Sequence, residues 1–391
     1  MKNAAVGDIC EQIRGVTYAK SDASDTPQSG YTPILRANNI QDNGRLLLED
    51  FVFVPDSKIS PKQRVIPNDV VVAASSGSIS VVGKTAQAED EFDGGFGAFC
   101  KVLRPNSEVA PRYFGHYFRT QAYRRIVSHL AAGANINNLK NEHLDNLQIP
   151  LPPLAEQKRI AAILDAADAL RAKRRESLEQ LDTLLQSTFL EMFGDPVTNP
   201  MGWDKGPITT LGSLDRGKST HRPRNEPSLI GGDHPLIQTG DISRSDGFIR
   251  SHSSTYSDKG LAQSKIWDSG TLCITIAANI ADTALLTYPA CFPDSVVGFV
   301  AKKASSAIFV QGVLRHFQQI LENKASQVAQ KNINLGVLRN LEIPIPPLDL
   351  QHRFASIVES VEEQKSAHRN HLEELDTLFA SLQQRAFSGE L

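Results

Sequence analysis

Gly212–Ser219, GSLDRGKS, has the spacing GxxxxGK[ST] of a phosphate-cradling loop. That chemistry needs a strand before the loop and, directly after it, a helix whose N-terminus completes the cradle. A strand over Pro207–Leu211 is compatible, but Thr220-His221-Arg222-Pro223-Arg224-Asn225-Glu226-Pro227 cannot continue as a helix. The equivalent stretch of the first half, Gly7–Gly15, has no lysine. A nucleoside triphosphate site rests on this octet alone, and the segment reads better as a basic loop for a phosphodiester backbone, with Lys218, Ser219, His221, Arg222 and Arg224 as its candidates. Other reactive patterns are missing. There is no Gly-rich first turn after a strand, no [DNS]PP[YFW] amino-methylation motif, no HExxH and no GxSxG. His368 and His371, three apart, read as a solvated helix face. Catalysis within this chain finds no support.

Amide and hydroxyl side chains are more informative. Asn135, Asn137 and Asn138 stand just before Ile149, and Gln330, Lys331, Asn332 and Asn334 stand just before Ile343. Asn and Gln pair bidentately with adenine, Arg and Lys with guanine, and Ser or Thr with phosphates or bases. Similar side chains follow the first strand pair of each half: Ser75, Ser76 and Ser78, with Lys84 beyond them, and Asn279 after Ala277-Ala278. Any one such loop is an ordinary turn; their recurrence at matching places in both halves points to binding.

The elements that must carry these loops come from a repeat. Ile149–Leu185, IPLPPLAEQKRIAAILDAADALRAKRRESLEQLDTLL, and Ile343–Phe379, IPIPPLDLQHRFASIVESVEEQKSAHRNHLEELDTLF, align at an offset of 194 with 16 of 37 positions identical. Average residue usage would give roughly two or three. Pro152-Pro153 and Pro346-Pro347 cannot lie inside a helix, so each copy predicts a helix starting just after them. The first is expected over 155–191, ending at Gly194, and the second to end near Gly389. Apolar residues recur at three- and four-residue steps: Ile160, Ile163, Leu164, Ala167, Leu170, Leu178, Leu181, Leu184 and Leu185 in one, Phe354, Ile357, Val358, Val361, Leu372, Leu375, Leu378, Phe379 and Leu382 in the other. The basic run Arg171, Lys173, Arg174 and Arg175 loses half its charge in the second copy and reads as a solvated or partner-facing surface. A long helix with one apolar seam needs a partner, and a tandem repeat closed on itself sets the two helices antiparallel, as a coiled coil about a pseudo-two-fold axis.

Between the helices, short β-prone runs alternate with turns: Leu46–Val54, Val70–Ala73 and Phe99–Leu103, then Gly270–Ile276, Ala284–Tyr288 and Val296–Ala301, with a helix near Arg112–His129 and Ala307–Leu321. The fold class is therefore α+β: two α/β domains, 1–150 and 197–342, alternating with two long helices, 151–196 and 343–391. The net charge of −3 divides unevenly, as 0, −2, +3 and −4 over 1–150, 151–196, 197–342 and 343–391. The domains thus permit a polyanionic partner. The four cysteines form no CxxC pair and fit a reducing compartment, and no apolar run approaches membrane-spanning length, so a cytoplasmic protein is expected.

The paired IPLPPLAEQKRI and IPIPPLDLQHRF segments, each opening a long helix after a divergent domain, resemble the specificity (S) subunits of type I restriction–modification systems; TLCITIAANIADTALL and QKNINLGVLRNLEIPIPPL are similarly typical. VVVAASSGSISVVGK departs from the Gly-Thr turn frequent in the family, and NINNLKNEHL carries a three-residue insertion relative to the second copy. The resemblance implies that each variable domain is a target recognition domain reading one half of an asymmetric bipartite site in double-stranded DNA. It implies that the helices space the domains and dock two methyltransferase subunits, with a translocating nuclease subunit able to join. No cofactor belongs to this chain: S-adenosylmethionine would be bound by the methyltransferase, ATP and Mg by the nuclease, and no membrane is involved. The residues leave one alternative, a non-catalytic coiled-coil interaction scaffold whose variable domains bind proteins or glycans.

Overall fold

The computed structural model describes residues 2–132, 138–224, 226–277, 279–326 and 332–391. By contacts the chain forms two units, Met1–Arg175 with Asn370–Leu391, and Glu176–Arg369.

In the first unit the run Val70–Ala73 is buried along its whole length because it is a central strand covered on both faces. It lies third in a four-stranded antiparallel sheet ordered Cys10–Arg14, Cys100–Pro105, Val70–Ala73, Thr85–Gln87. Strand alternation sends Val70 and Val72 into a core with Tyr113, Phe114, Ile160 and Leu164, and Val71 and Ala73 into another with Leu35, Phe96 and Val102. A smaller sheet joins Tyr31–Leu35 to Val52–Pro55 and Gly95–Phe96. The chain's entry strand, Asn3–Ala5, pairs with its exit strand, Gln148–Pro150.

Two expectations are corrected here. The strand expected over Leu46–Val54 shortens to Val52–Pro55. The Asn39 amide donates to the carbonyls of Leu47 and Glu49, and Asp50 takes a positive φ of 51°, so the intervening backbone has no free ladder edge. The helix expected over Arg112–His129 is two, Pro111–Tyr117 and Gln121–Ala132. The Thr120 hydroxyl donates to the Tyr117 carbonyl and accepts from the Tyr123 amide, ending one helix and capping the next.

The second unit repeats the strand order as Gly212–Arg216, Val296–Ala301, Leu272–Thr275, Thr283–Leu286, and adds Phe248–Ile249 in parallel at the edge. Leu272 and Ile274 face a core with Phe189, Phe309 and Phe354, whereas Cys273 faces Trp267 and Phe292. Its helix runs Ala304–Ser326 without a break. Lys205–Pro207 pairs with Glu342–Pro344, the same entry-to-exit closure. The octet that matched a phosphate loop is a strand, Gly212–Arg216, with no helix after it, so no cradle forms. All four cysteines are buried, and burial pushes the thiols of Cys10 and Cys100 up to about 12, which leaves them unreactive.

The long helices are Leu154–Phe193 and Leu348–Ser388, each roughly 60 Å at 1.5 Å per residue. The first unit contains the start of the first and the end of the second; the other unit contains the reverse, so the pairing is antiparallel. Ile160, Leu164 and Phe379 are buried in one unit, Leu185, Phe354 and Val358 in the other. Ile163, Leu178, Leu181, Leu372 and Leu375 are partly covered. Leu170, Leu184 and Leu378, placed in the stripe by spacing, are exposed. The seam is narrower than the pattern because ion pairs interrupt it. Arg171, read from sequence as part of a solvated or partner-facing surface, pairs with Asp168 at 2.8 Å and Asp376 at 2.6 Å and lies over the Phe379 ring. At the same offset of 194, Lys365 pairs with Glu362 at 3.0 Å and Asp182 at 2.7 Å. Among the described residues no helix is long and apolar enough to cross a membrane.

Candidate nucleic-acid interface

In each unit one end of the main sheet gathers the sequence-predicted polar loops. In the first, Arg14 opposite Lys101 and Ala73 opposite Cys100 mark that end. Ser75, Ser76, Ser78 and Lys84 lie on the connection from Val70–Ala73 to Thr85–Gln87. Ser75 forms a β-bridge with Asn138, and the Leu139 amide donates to the Ala74 carbonyl at 2.7 Å, so this connection and the segment before the helix form one surface. Asn138 is exposed. Beneath it the buried Lys101 ammonium donates to the Leu139 carbonyl at 2.8 Å and to Asn141 Oδ1 at 2.7 Å. Burial lowers its pKa to about 8. Ser76 accepts from the Ser78 amide, and Lys84 is paired with the exposed Asp42 at 2.6 Å. Asn135 and Asn137 lie outside the described residues.

The second unit repeats the arrangement. Ala277 bridges Asn332, and the Ile333 amide donates to the Ile276 carbonyl at 3.0 Å. The Asn279 amide donates to Ser243 Oγ at 2.6 Å. Asn334 Oδ1 accepts from the Val337 amide at 2.9 Å as the cap of helix Leu335–Arg339, so that oxygen is already engaged and only its NH2 group is left to a ligand. Gln330 and Lys331 lie outside the described residues. The basic loop joins this end through the turn at Asp294-Ser295: the Ile276 amide donates to the Ser295 carbonyl, while Asp294 accepts from Arg222 at 3.2 Å and Arg224 at 2.5 Å. One carboxylate thus holds two exposed guanidiniums and leaves the loop cationic. Lys218 is exposed and His221 half-buried. Ser219 is buried, with its carbonyl accepting from Arg222 at 2.7 Å, and so supports the loop from inside instead of facing a ligand.

Comparison with known proteins agrees with this duplicated architecture. The family model for the type I restriction modification DNA specificity domain matches twice, over residues 1–180 and 200–377. The chain belongs to that family. It is 30% identical to the type I restriction enzyme StySPI specificity subunit of Salmonella potsdam, over 99% of this chain and 88% of that protein. It is 42% identical to the EcoKI specificity subunit of Escherichia coli K12, over 51% of this chain and 42% of that one. Two solved structures share the fold: a chain from a type I restriction–modification complex, TM-score 0.56 and 20% identical over 100% of this chain and 98% of that one, and the S subunit from M. genitalium, TM-score 0.58 and 14% identical over 99% and 96%.

A DNA-specificity subunit must hold its recognition domains firmly, and the residues that do so were not singled out by sequence reasoning. Gln157 and Gln351 occupy equivalent places in the two helix starts. Gln157 accepts from the Ala110 amide at 2.7 Å and donates to the Pro152 carbonyl at 2.8 Å. Gln351 accepts from Ser306 Oγ at 2.8 Å and donates to the Pro346 carbonyl at 2.9 Å. Their identity in both copies, five residues after the first proline of each pair, was the available signal. In the first unit Arg112 and His116 converge on Asp165 at 2.6 and 2.8 Å, and Arg119 reaches Asp168 at 2.9 Å. Burial raises the Asp165 pKa, but the His116 hydrogen bond and the Arg112 guanidinium outweigh it and hold the carboxyl at about 2. Burial pushes His116 below its ordinary value against the pull of Asp165, so the neutral ring donates through Nε2. Phe99 also escaped notice: its carbonyl accepts from the Ala74 and Ser75 amides, and its ring, 70% exposed, projects at the polar end of the sheet.

Proposed function

We propose that domains 1–150 and 197–342 each read one half of an asymmetric bipartite site in double-stranded DNA, through the polar end of the sheet. The observation that carries this reading is the duplicated bridge, Ser75 to Asn138 and Ala277 to Asn332, which presents amide and hydroxyl side chains at the same place on two sheets of the same strand order. On this reading Ser75, Ser76, Ser78, Asn138, Asn279, Asn332 and the NH2 group of Asn334 meet base edges or phosphates, as do Asn135, Asn137, Gln330 and Lys331. Lys218, His221, Arg222 and Arg224 engage the backbone, phosphate oxygens displacing Asp294, and Lys84 likewise leaves Asp42. Divergence between the two sets makes the half-sites differ.

The helices 151–196 and 343–391 set the unread gap between half-sites and dock two methyltransferase subunits, to which a nuclease subunit can add. S-adenosylmethionine is bound by the methyltransferase, and ATP and Mg by the nuclease. The relatives named above, specificity subunits of type I restriction enzymes, support these partners. Co-expression with the companion methyltransferase, followed by sequencing of modified adenines, is expected to return a two-part motif with a fixed gap. Duplex binding should fall steeply with added salt, as counterion release requires. Salt-independent binding, or modification without a two-part motif, would overturn the reading in favour of a protein-binding scaffold.

A further inference from the structure

Each recognition domain carries the same backbone device beside its long helices, with different charges. In the first unit the loop before Gly44 packs on Arg119, whose guanidinium donates to the Asn43 carbonyl at 2.9 Å. In the second the loop before Gly247 packs on Arg315, which donates to the Asp246 carbonyl at 3.4 Å. Gly44 and Gly247 have φ of 79° and 100°, and a Cβ on either would lie 2.5 or 2.3 Å from its arginine, so both turns require glycine. The preceding residue is neutral Asn43 in one and Asp246 in the other.

That carboxylate enters a charge cluster on the second helix. Asp246 accepts from Arg250 at 2.7 Å and from Arg369, and lies 3.7 Å from Lys365. Lys365 is 1% exposed and also meets Asp182 and Glu362. Glu362 in turn receives Arg250 at 2.5 Å and Arg369 at 3.5 Å. A cavity of about 290 Å³ borders the cluster, lined by Asp182, Phe189, Asp246, Arg315, Phe354 and Lys365. Apolar packing is therefore incomplete where this loop meets the helices, and the ion pairs take its place. Lys365 and Glu362 are the buried members of the cluster, while Asp246, Arg250 and Arg369 keep about a third of their side chains in solvent.

We propose that Asp246 is the positioning residue that fixes the second recognition domain on the helix Leu348–Ser388, through Lys365 and Arg369, and thereby holds the gap between half-sites to one length. The proposal rests on the bipartite reading above. The first domain is seated by domain cations on helix acids, Arg112 and Arg119 on Asp165 and Asp168, as Arg250 is on Glu362 in the second; Asp246 adds the reverse polarity, a domain acid on helix cations.

The test uses the full chain with its companion methyltransferase, reading modified adenines for wild type, Asp246→Asn and Asp246→Glu. Asp246→Asn copies the first unit's Asn43 and leaves Lys365 its contacts with Asp182 and Glu362, so the fold is retained. Relative to wild type, its modification of sites with a gap one base pair off should rise about tenfold, the change expected from one charge-assisted contact. The half-site bases should not change, and Asp246→Glu should keep the single gap. Unchanged gap selection in Asp246→Asn, altered half-site bases, or equal relaxation in Asp246→Glu would each overturn the proposal. If Asp246→Asn gives no soluble complex, Arg369→Gln, which cuts the same contact from its half-exposed side, carries the same expectations. A wild-type complex that modifies no two-part site would instead refute the bipartite reading.

Discussion

Phe99 puts a bare aromatic ring, 70% exposed, at the end of the sheet that also carries Ser75 and Asn138. Covering such a ring is worth roughly 1.5–3 kcal/mol, and a thymine methyl or an opened base step supplies a suitable surface. Phe99→Ser should weaken duplex binding by about that amount in a titration, with the loss confined to the first half-site and the melting temperature unchanged. The Asp165 site makes a pH prediction. A carboxyl held at about 2 contributes stability that is complete above its unfolded value, about 4, and is lost as pH falls towards 2. Neutral, buried His116 adds to this at milder acidity: the unfolded chain takes up a proton below 6.5 that the folded chain resists, so stability falls from there downwards. His116→Gln should flatten the stability profile just below pH 6.5 while leaving the steeper loss below pH 4, as measured by denaturant unfolding across pH.

At the scale of elements, the helix starts combine a double proline that ends the preceding strand with a glutamine that fastens the domain. Gln157→Leu leaves the Ala110 amide buried without its acceptor and should cost about 1–3 kcal/mol in denaturant unfolding. Removing one heptad from the middle of each long helix takes out about 10 Å at 1.5 Å per residue, about three base pairs of duplex. On the proposed reading, modification mapping of that variant should show a gap shortened by about this amount, with the bases of each half-site as before. The helices were legible because Pro152-Pro153, Pro346-Pro347 and the shared LDTL run are local signals repeated at a fixed offset. Val70–Ala73 and Val296–Ala301 were legible because β-branched runs between turns have one reading. The split at Thr120 was not, since a hydroxyl that caps a helix looks in sequence like any other threonine. The narrowing of the seam was hidden too: Lys365 with Asp182 and Arg171 with Asp376 join residues some 200 positions apart, and no spacing rule announces such a pair.

For the whole molecule, the proposed division of labour predicts that exchanging 197–342 for the corresponding domain of another specificity subunit changes one half of the modified sequence and not the other, read by the same mapping. The seat sets a condition on that exchange, because the incoming domain must bring an acid to the place of Asp246 to meet Lys365 and Arg369. The candidate site was partly legible. The loops around Ser75, Asn138, Ala277 and Asn332 were found because they recur; burial of Ser219 depends on neighbours far along the chain, whereas the capping duty of Asn334, set by the Val337 amide three residues on, was a local signal passed over.

The pairing of Asn3–Ala5 with Gln148–Pro150, and of Lys205–Pro207 with Glu342–Pro344, has an evolutionary corollary. Each reading module begins and finishes at one doorstep, so genetic recombination can lift out a whole cassette at that threshold and drop in a stranger without unravelling what lies on either side.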